Sequence, residues 1–278
     1  MQTSPENLKN LVREKYSNIA QAEPAKKSCC GCDCGSTNII MNEQYEGIAG
    51  YSREADLQLG CGIPTQFAAI EPGNIVVDLG SGAGNDCFVA RALTGESGEV
   101  IGIDFTPEMI ALARQNVEKL GYTNVRFVAG DIDNIPLPRH SADVVISNCV
   151  INLVPDKAKV FSEIFRILVP GGHFCVSDVV RERDLPEAIR QAAELYAGCV
   201  SGASQISDYL KIVDQQGFKE ITIRKKTPIE IPEDILQSYH EDTISSKDGV
   251  SDCGLFSITL TGYKPMEQNC ASGCDCGC

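Results

Sequence analysis

The sequence predicts an α/β fold, a seven-stranded, mostly parallel sheet with helices on both faces. Three observations carry this expectation. Short β-branched runs recur between Asn74 and Val180, separated by segments whose apolar residues fall at helical spacing. The runs are apolar throughout rather than alternating, which marks strands buried on both faces and joined by right-handed crossovers. The first run ends in a glycine-rich turn that opens a helix, the usual start of a ligand-binding βα unit.

Residues Pro5 to Ala20 read as a helix, with Leu8, Leu11, Val12 and Ile19 on one side. KKSCCGCDCGST then breaks the pattern and reads as a loop. NIVVDLG is the first strand, and a helix follows from about Asn85. VIGID, Val100 to Asp104, is the second strand. Thr106 and Pro107 supply an N-cap and a first-turn proline. Met109, Ile110, Ala113, Val117 and Leu120 form that helix's apolar face, and Gly121 stops it. NVRFVAGD, ADVVISN and GGHFCVSDVV are further strands, with VFSEIFRIL a helix between the last two. Beyond Asp184, helices are expected at 188–198 and 207–216, followed by the strands ITIRKKTPIEI and GLFSITLTGYK, with an antiparallel edge. The chain thus divides into an N-terminal helical cap with a Cys-rich loop (1–50), a core (51–200), a C-terminal lid with edge strands (201–265) and a Cys-rich tail (266–278).

The 278 residues carry a net charge of −14, which repels phosphate and therefore argues against nucleic acid or an anionic membrane as partner. No apolar stretch approaches the roughly 20 residues of a membrane span. The N-terminus lacks the apolar core of a signal peptide. A cytoplasmic location is expected, where disulfides seldom persist, so the 14 cysteines pose a question of chemistry rather than of stapling.

The glycine turn is Asp78-Leu79-Gly80-Ser81-Gly82-Ala83-Gly84. Asp104 closes the next strand, where a carboxylate can accept hydrogen bonds from ribose hydroxyls. A dinucleotide fingerprint wants Gly or Ala at position 85, and Asn85 stands there. With Gly130-Asp131-Ile132 after the third strand, the set resembles a class I S-adenosylmethionine-dependent methyltransferase over residues 50–200, whose fold is Rossmann-like. The resemblance implies S-adenosylmethionine as cofactor, with Asp104 on the ribose, Asp131 and Ile132 beside the adenine, and the methionine moiety at the turn of Gly80, Ser81, Gly82 and Gly84. Asp78 and Asn148 complete the expected cofactor site.

Cys149 ends the fourth strand in SNCVINLVPD, where ligands bind in an open α/β sheet. Cys61 sits in the turn LGCGIP, expected to expose its thiol, and Cys199 follows a helix in YAGCVSGA. The packing alternative, a small buried hydrophobe, is the ordinary fate of cysteine. It suits Cys87, Cys175 and Cys253 better than these three.

Gly-Cys-Gly before the first strand, the SNCVINLVPD run and Gly198-Cys199 resemble the arsenite methyltransferases. That resemblance implies that Cys61, Cys149 and Cys199 bind arsenic(III) as thiolates, and that Cys32 or Cys34 joins a disulfide relay. It also implies arsenite as substrate, a detoxifying role and a thiol reductant, thioredoxin or glutathione, as partner. Departures are Leu59 in place of an aromatic residue and Gly198 in place of an acidic one. Arsenic(III) is soft, so thiolates are its natural ligands. Its lone pair attacks an electrophilic methyl without a general base, which matches a chain whose His140, His173 and His240 form no base motif.

The motif GCDCG occurs twice, at Gly31–Gly35 and Gly273–Gly277. Its C-x-C spacing departs from the C-x₂-C of structural zinc. Capture of arsenic by flexible thiols and incidental soft-ion binding stay open for both copies. Three rival functions also stay open. One is a methyltransferase for a small organic acceptor such as a quinone precursor. The others are a non-catalytic thiol protein for metal(loid)s and, last, an NAD oxidoreductase.

Overall fold

A computed structural model describes residues 5–21, 43–184, 202–229 and 254–267. The expected helix at 188–198, together with Cys32, Cys34, Cys199, His240, Cys253 and the second GCDCG, lies outside these residues.

Five α-helices and eight strands follow one another along the described chain: α1 (Pro5–Gln21), β1 (Ile75–Leu79), α2 (Asn85–Thr94), β2 (Glu99–Asp104), α3 (Pro107–Leu120), β3 (Val125–Ala129), β4 (Ala142–Asn148), α4 (Lys157–Ile167), β5 (Leu168–Arg181), β6 (Ser204–Gln205), α5 (Ile206–Gln215), β7 (Lys219–Pro228) and β8 (Leu255–Tyr263). They form one sheet in the order β3-β2-β1-β4-β5-β8-β7, with the two-residue β6 beside the end of β5. The seven expected strands make the continuous path, and β6 is an eighth that no sequence pattern announces. β1 to β5 pair in parallel, whereas β8 runs antiparallel between β5 and β7. The antiparallel strand therefore enters one place in from the edge, because β7 reaches the sheet only through it.

Two apolar layers sandwich the sheet. One gathers Val77, Leu79, Val145, Phe161, Ile164, Phe174, Tyr209, Phe218 and Leu260 under α4 and α5. The other gathers Val76, Phe88, Ile110, Val144, Ile146 and Cys175 under α2 and α3. Cys87 and Cys175 belong to this second layer, in agreement with their packing assignment. No helix among the described residues is long and apolar enough to cross a membrane. The carboxyl ends of β1, β2 and β4 open on one side of the sheet, and α1 lies across that opening against α3.

Candidate active site

β1 and β2 both end in buried carboxylates. Between β1 and α2 the backbone turns through three positive-φ glycines, Gly80 (72°), Gly82 (51°) and Gly84 (99°), a path side chains resist. Asp104 Oδ2 accepts the Gly82 N–H at 3.0 Å and Oδ1 accepts the Thr106 N–H at 2.8 Å. Thr106 occupies the N-cap position as expected, although its side chain does not make the capping bond.

The turn walls a cleft of about 1140 Å³, open mouth included. Of the residues singled out in the sequence, Asp78, Gly80, Ser81, Gly82, Asp104, Asp131, Ile132, Asn148 and Cys149 line it. Gly84 does not: a Cβ there would stand 2.7 Å from Phe127 and 2.9 Å from Phe88, so this glycine serves the packing of α2. A Cβ on Gly82, by contrast, would meet nothing within 4 Å, which leaves room for a ligand against the backbone. From α1, Lys9, Val12 and Tyr16 close the far rim. Lys9 binds Asp131 at 2.7 Å and Asp133 at 2.8 Å, tying the helix to the segment after β3.

Asp86, which no sequence motif singled out, also lines the cleft. Burial pushes its carboxyl up to about 6, although hydrogen bonds from Asn148 and Tyr45 oppose that. Asp78 is pushed well above the ordinary range by burial and then by the charge of Asp86, with the Cys87 thiol donating to it at 3.2 Å. Burial also raises Asp104, against the hydrogen bonds it accepts. Three crowded carboxyls in one wall suit a ligand that carries positive charge.

Of the two described thiols of interest, Cys149 lines the cleft and Cys61 does not. Cys149 follows Asn148 at the end of β4 with φ of +61°, a left-handed conformation that costs a non-glycine residue about 1 kcal/mol. Its N–H is fixed to Ser177 O on β5 at 2.8 Å. Cys61 arrives from the loop before β1. Its N–H donates to Asn148 Oδ1 at 3.0 Å, and its carbonyl accepts from the Ser257 hydroxyl on β8. The expected exposure of Cys61 is corrected by these bonds: they seat the loop on the ends of β4 and β8, leaving the residue 1% exposed. Cys149 is 2% exposed. Neither thiol is in a disulfide.

The loop fits because it is glycine-rich. A Cβ on Gly60 would stand 2.6 Å from Asn148 Nδ2, and one on Gly62 would stand 2.6 Å from Ser177 Oγ. Asn148 Nδ2 lies 2.9 Å from the Tyr45 hydroxyl, 2.8 Å from Gly62 O and 3.0 Å from Asp86 Oδ2. Tyr45 in turn reaches Asp86 Oδ1 at 2.8 Å. On the other side of the sheet Tyr209 donates to Asp178 at 3.1 Å, both residues being buried. Burial and the Asp178 charge hold the Tyr209 proton tightly, and charge on Cys61 or Cys149 would hold it tighter still.

Tyr45, Asp86, Asp178 and Tyr209 are the residues that sequence reasoning missed. Asp86 had a signal, since it follows directly on the glycine turn. Tyr45 and Tyr209 had none, because an aromatic residue on an apolar face looks like any other core residue. Neither His140 nor His173 lines the cleft.

Comparisons with known proteins identify the family. A methyltransferase-domain family model matches residues 70–223. The arsenite methyltransferase of Halobacterium salinarum is 39% identical over 95% of this chain, which spans 68% of that protein. The human arsenite methyltransferase is 40% identical over 72% of this chain, which spans 53% of it. Among solved structures, an arsenic(III) S-adenosylmethionine methyltransferase from Chlamydomonas reinhardtii superposes with a TM-score of 0.66 at 36% identity, covering 78% of this chain and 72% of that one. With the glycine turn and the carboxylate-ended strands in place, the chain belongs to the arsenite methyltransferase family of class I methyltransferases.

Proposed function

We propose that this enzyme holds trivalent arsenic on the thiolates of Cys61 and Cys149, with Cys199 as a third ligand, and methylates it at the cleft. The observation that carries the reading is the 3.0 Å bond from the Cys61 N–H to Asn148, the residue before Cys149, which joins segments 87 residues apart in sequence beside a wall that suits a cationic methyl donor. Gly202, three residues beyond Cys199, abuts the backbone carbonyl of Asn152, just after Cys149.

The residues present fit S-adenosylmethionine, the cofactor of the family. Asp104 would take the ribose, Asp131 and Ile132 the adenine edge, and Gly82 with Asp78 and Asp86 the charged amino-acid end. When bound, this cofactor supplies a methyl group on a positively charged sulfur, which leaves as the neutral thioether. The protein's own task is then largely positional. Each thiol gives up its proton as an arsenic–sulfur bond forms, and an arsenic hydroxyl leaves as water, so no base is needed. Burial of both thiols excludes water from the bond that forms. Their ligation leaves the arsenic lone pair as the nucleophile.

Forming an As–C bond formally raises arsenic from III to V. Return to the trivalent state takes two electrons. A dithiol would supply them, becoming a disulfide, and both Cys32 or Cys34 and an external reductant such as thioredoxin or glutathione suit that part. Detoxification is the physiological role this chemistry supports.

The test is transfer of label from S-adenosylmethionine to arsenite with glutathione present, in the wild type and in Cys61→Ser and Cys149→Ser. Methylated arsenic from the wild type and at least a hundredfold loss in both variants is expected. A wild type that binds the donor yet leaves arsenite unmethylated would overturn the reading and move the search to small organic acceptors.

A further inference from the structure

We infer that Asn148 is a positioning residue that couples the two halves of the site, so that occupancy of the donor cleft tightens the loop carrying Cys61. The inference rests on the arsenic reading above and deepens it.

An asparagine amide carries two hydrogens to donate and a tyrosine hydroxyl one. Asn148 Nδ2 has three acceptors within 3.0 Å: Tyr45 Oη, Gly62 O and Asp86 Oδ2. The Tyr45 hydroxyl has two, Asp86 Oδ1 at 2.8 Å and Gly62 O at 3.1 Å. Five contacts thus share three hydrogens, and they cannot all be made at full strength together. The competitors for those hydrogens are the carboxylate of Asp86 and the carbonyl of Gly62.

These two acceptors serve different halves of the site. Asp86 faces the cleft, and Gly62 is the residue after Cys61. While Asp86 is uncompensated, its charge draws both donors, since charged acceptors make the stronger bonds. A cationic ligand in the cleft offers that carboxylate another partner. The amide and hydroxyl hydrogens are then released to Gly62 O, and the loop is held harder.

The loop has a single seat to be held in. Gly60 lies directly on the Asn148 amide, and Gly62 on Ser177. The amide oxygen of Asn148 meanwhile accepts the Cys61 N–H at 3.0 Å. Cys149, the other thiol, is the next residue in the chain. One side chain therefore touches the donor wall, is bonded to the loop of one thiol and adjoins the other, which gives coupling a physical carrier rather than a mere path of neighbours.

Coupling of this kind is measured by a binding cycle. Arsenite would be titrated calorimetrically into the full-length protein, kept reduced with a phosphine, with and without saturating sinefungin. That analogue keeps the positive charges of the donor but transfers no methyl. The wild type should bind arsenite about fivefold or more tightly when the analogue is present, and by reciprocity the analogue should gain the same factor from arsenite. In Asn148→Ala the ratio should fall to about one, whatever the change costs either ligand bound alone. Tyr45→Phe, the milder change, keeps the experiment decisive should the first variant fail to fold, and should lower the ratio at least twofold. A wild-type ratio of one, or an undiminished ratio in the folded variants, overturns the inference and leaves the arsenic reading standing. A wild type that binds the analogue but no arsenite removes the arsenic reading and the inference together.

Discussion

Tyr209 and Asp178 share a 3.1 Å hydrogen bond beneath the layer formed by α4 and α5, and both residues are buried. Asp178 is 1% exposed, and burial pushes its carboxyl up to about 7, against Lys157 and the bonds it accepts. A carboxyl raised on folding is protonated in the native state where the unfolded chain has lost its proton. Its stabilising effect is complete below about pH 4 and disappears as pH rises through 7.

Asp178→Asn should therefore flatten the pH dependence of stability. The wild type is expected to lose a few kcal/mol of unfolding free energy between about pH 4 and pH 8, on the order of 1.4 kcal/mol for each pH step over which only the folded chain keeps the proton. The variant should lose markedly less. Urea denaturation across that range checks this, and equal slopes for the two proteins would refute it.

Cys149 offers a test of backbone strain. Glycine accepts φ of +61° without penalty, whereas alanine does not. Cys149→Gly should exceed Cys149→Ala in stability by about 1 kcal/mol, with methyl transfer lost in both. The order of melting temperatures reads the strain directly. The shared loss of turnover separates it from the role of the thiol.

The seat of the Cys61 loop can be probed without touching a thiol. Gly60→Ala places a methyl 2.6 Å from the Asn148 amide, so loop or amide must move. Arsenite affinity should fall roughly 10- to 100-fold, the usual cost of displacing a support behind a ligand. Affinity for the donor analogue should change far less. Calorimetry with each ligand separates the two effects.

Donor binding should itself depend on pH. Asp86, pushed up to about 6 by burial, holds a proton below that value and must lose it to receive a cation. Affinity for sinefungin should rise as pH increases from 5 to 7 and level off above. Asp86→Asn should bind more weakly and show a shallower rise. An unchanged pH profile in that variant would place the titrating group elsewhere.

Much of the fold was legible because its signals are local. β1 through β5 announce themselves as apolar β-branched runs, and α3 is bounded by Pro107 and Gly121 as expected. The site was legible in proportion to how far each residue's role is written in its own neighbourhood. Asp104 and Gly82 follow from the turn, and their hydrogen bond at 3.0 Å is the structural form of that pattern. The burial of Cys61 was not legible, since it depends on Asn148 and Ser257, 87 and 196 residues away. Tyr45 and Tyr209 escaped for the same reason: their hydroxyl partners are assigned by the topology. Gly84 sits inside a ligand motif, yet what constrains it is its φ of 99° together with two phenylalanine rings.

The insertion of β8 between β5 and β7 also bears on how the chain is made. Strands β1 to β5 can zip together in sequence as they leave the ribosome, but β7 emerges before the strand that will join it to the others. Until residues 255–263 arrive, two bare edges wait in one nascent chain, each a template for pairing with a neighbouring molecule. β7, which stays at the edge after β8 has docked, carries Lys219, Arg224, Lys225 and Lys226 along its length, charges that deter such pairing. β8 acts as the keystone of the sheet, and the strand it locks in place keeps its basic dress as the outermost of the described strands.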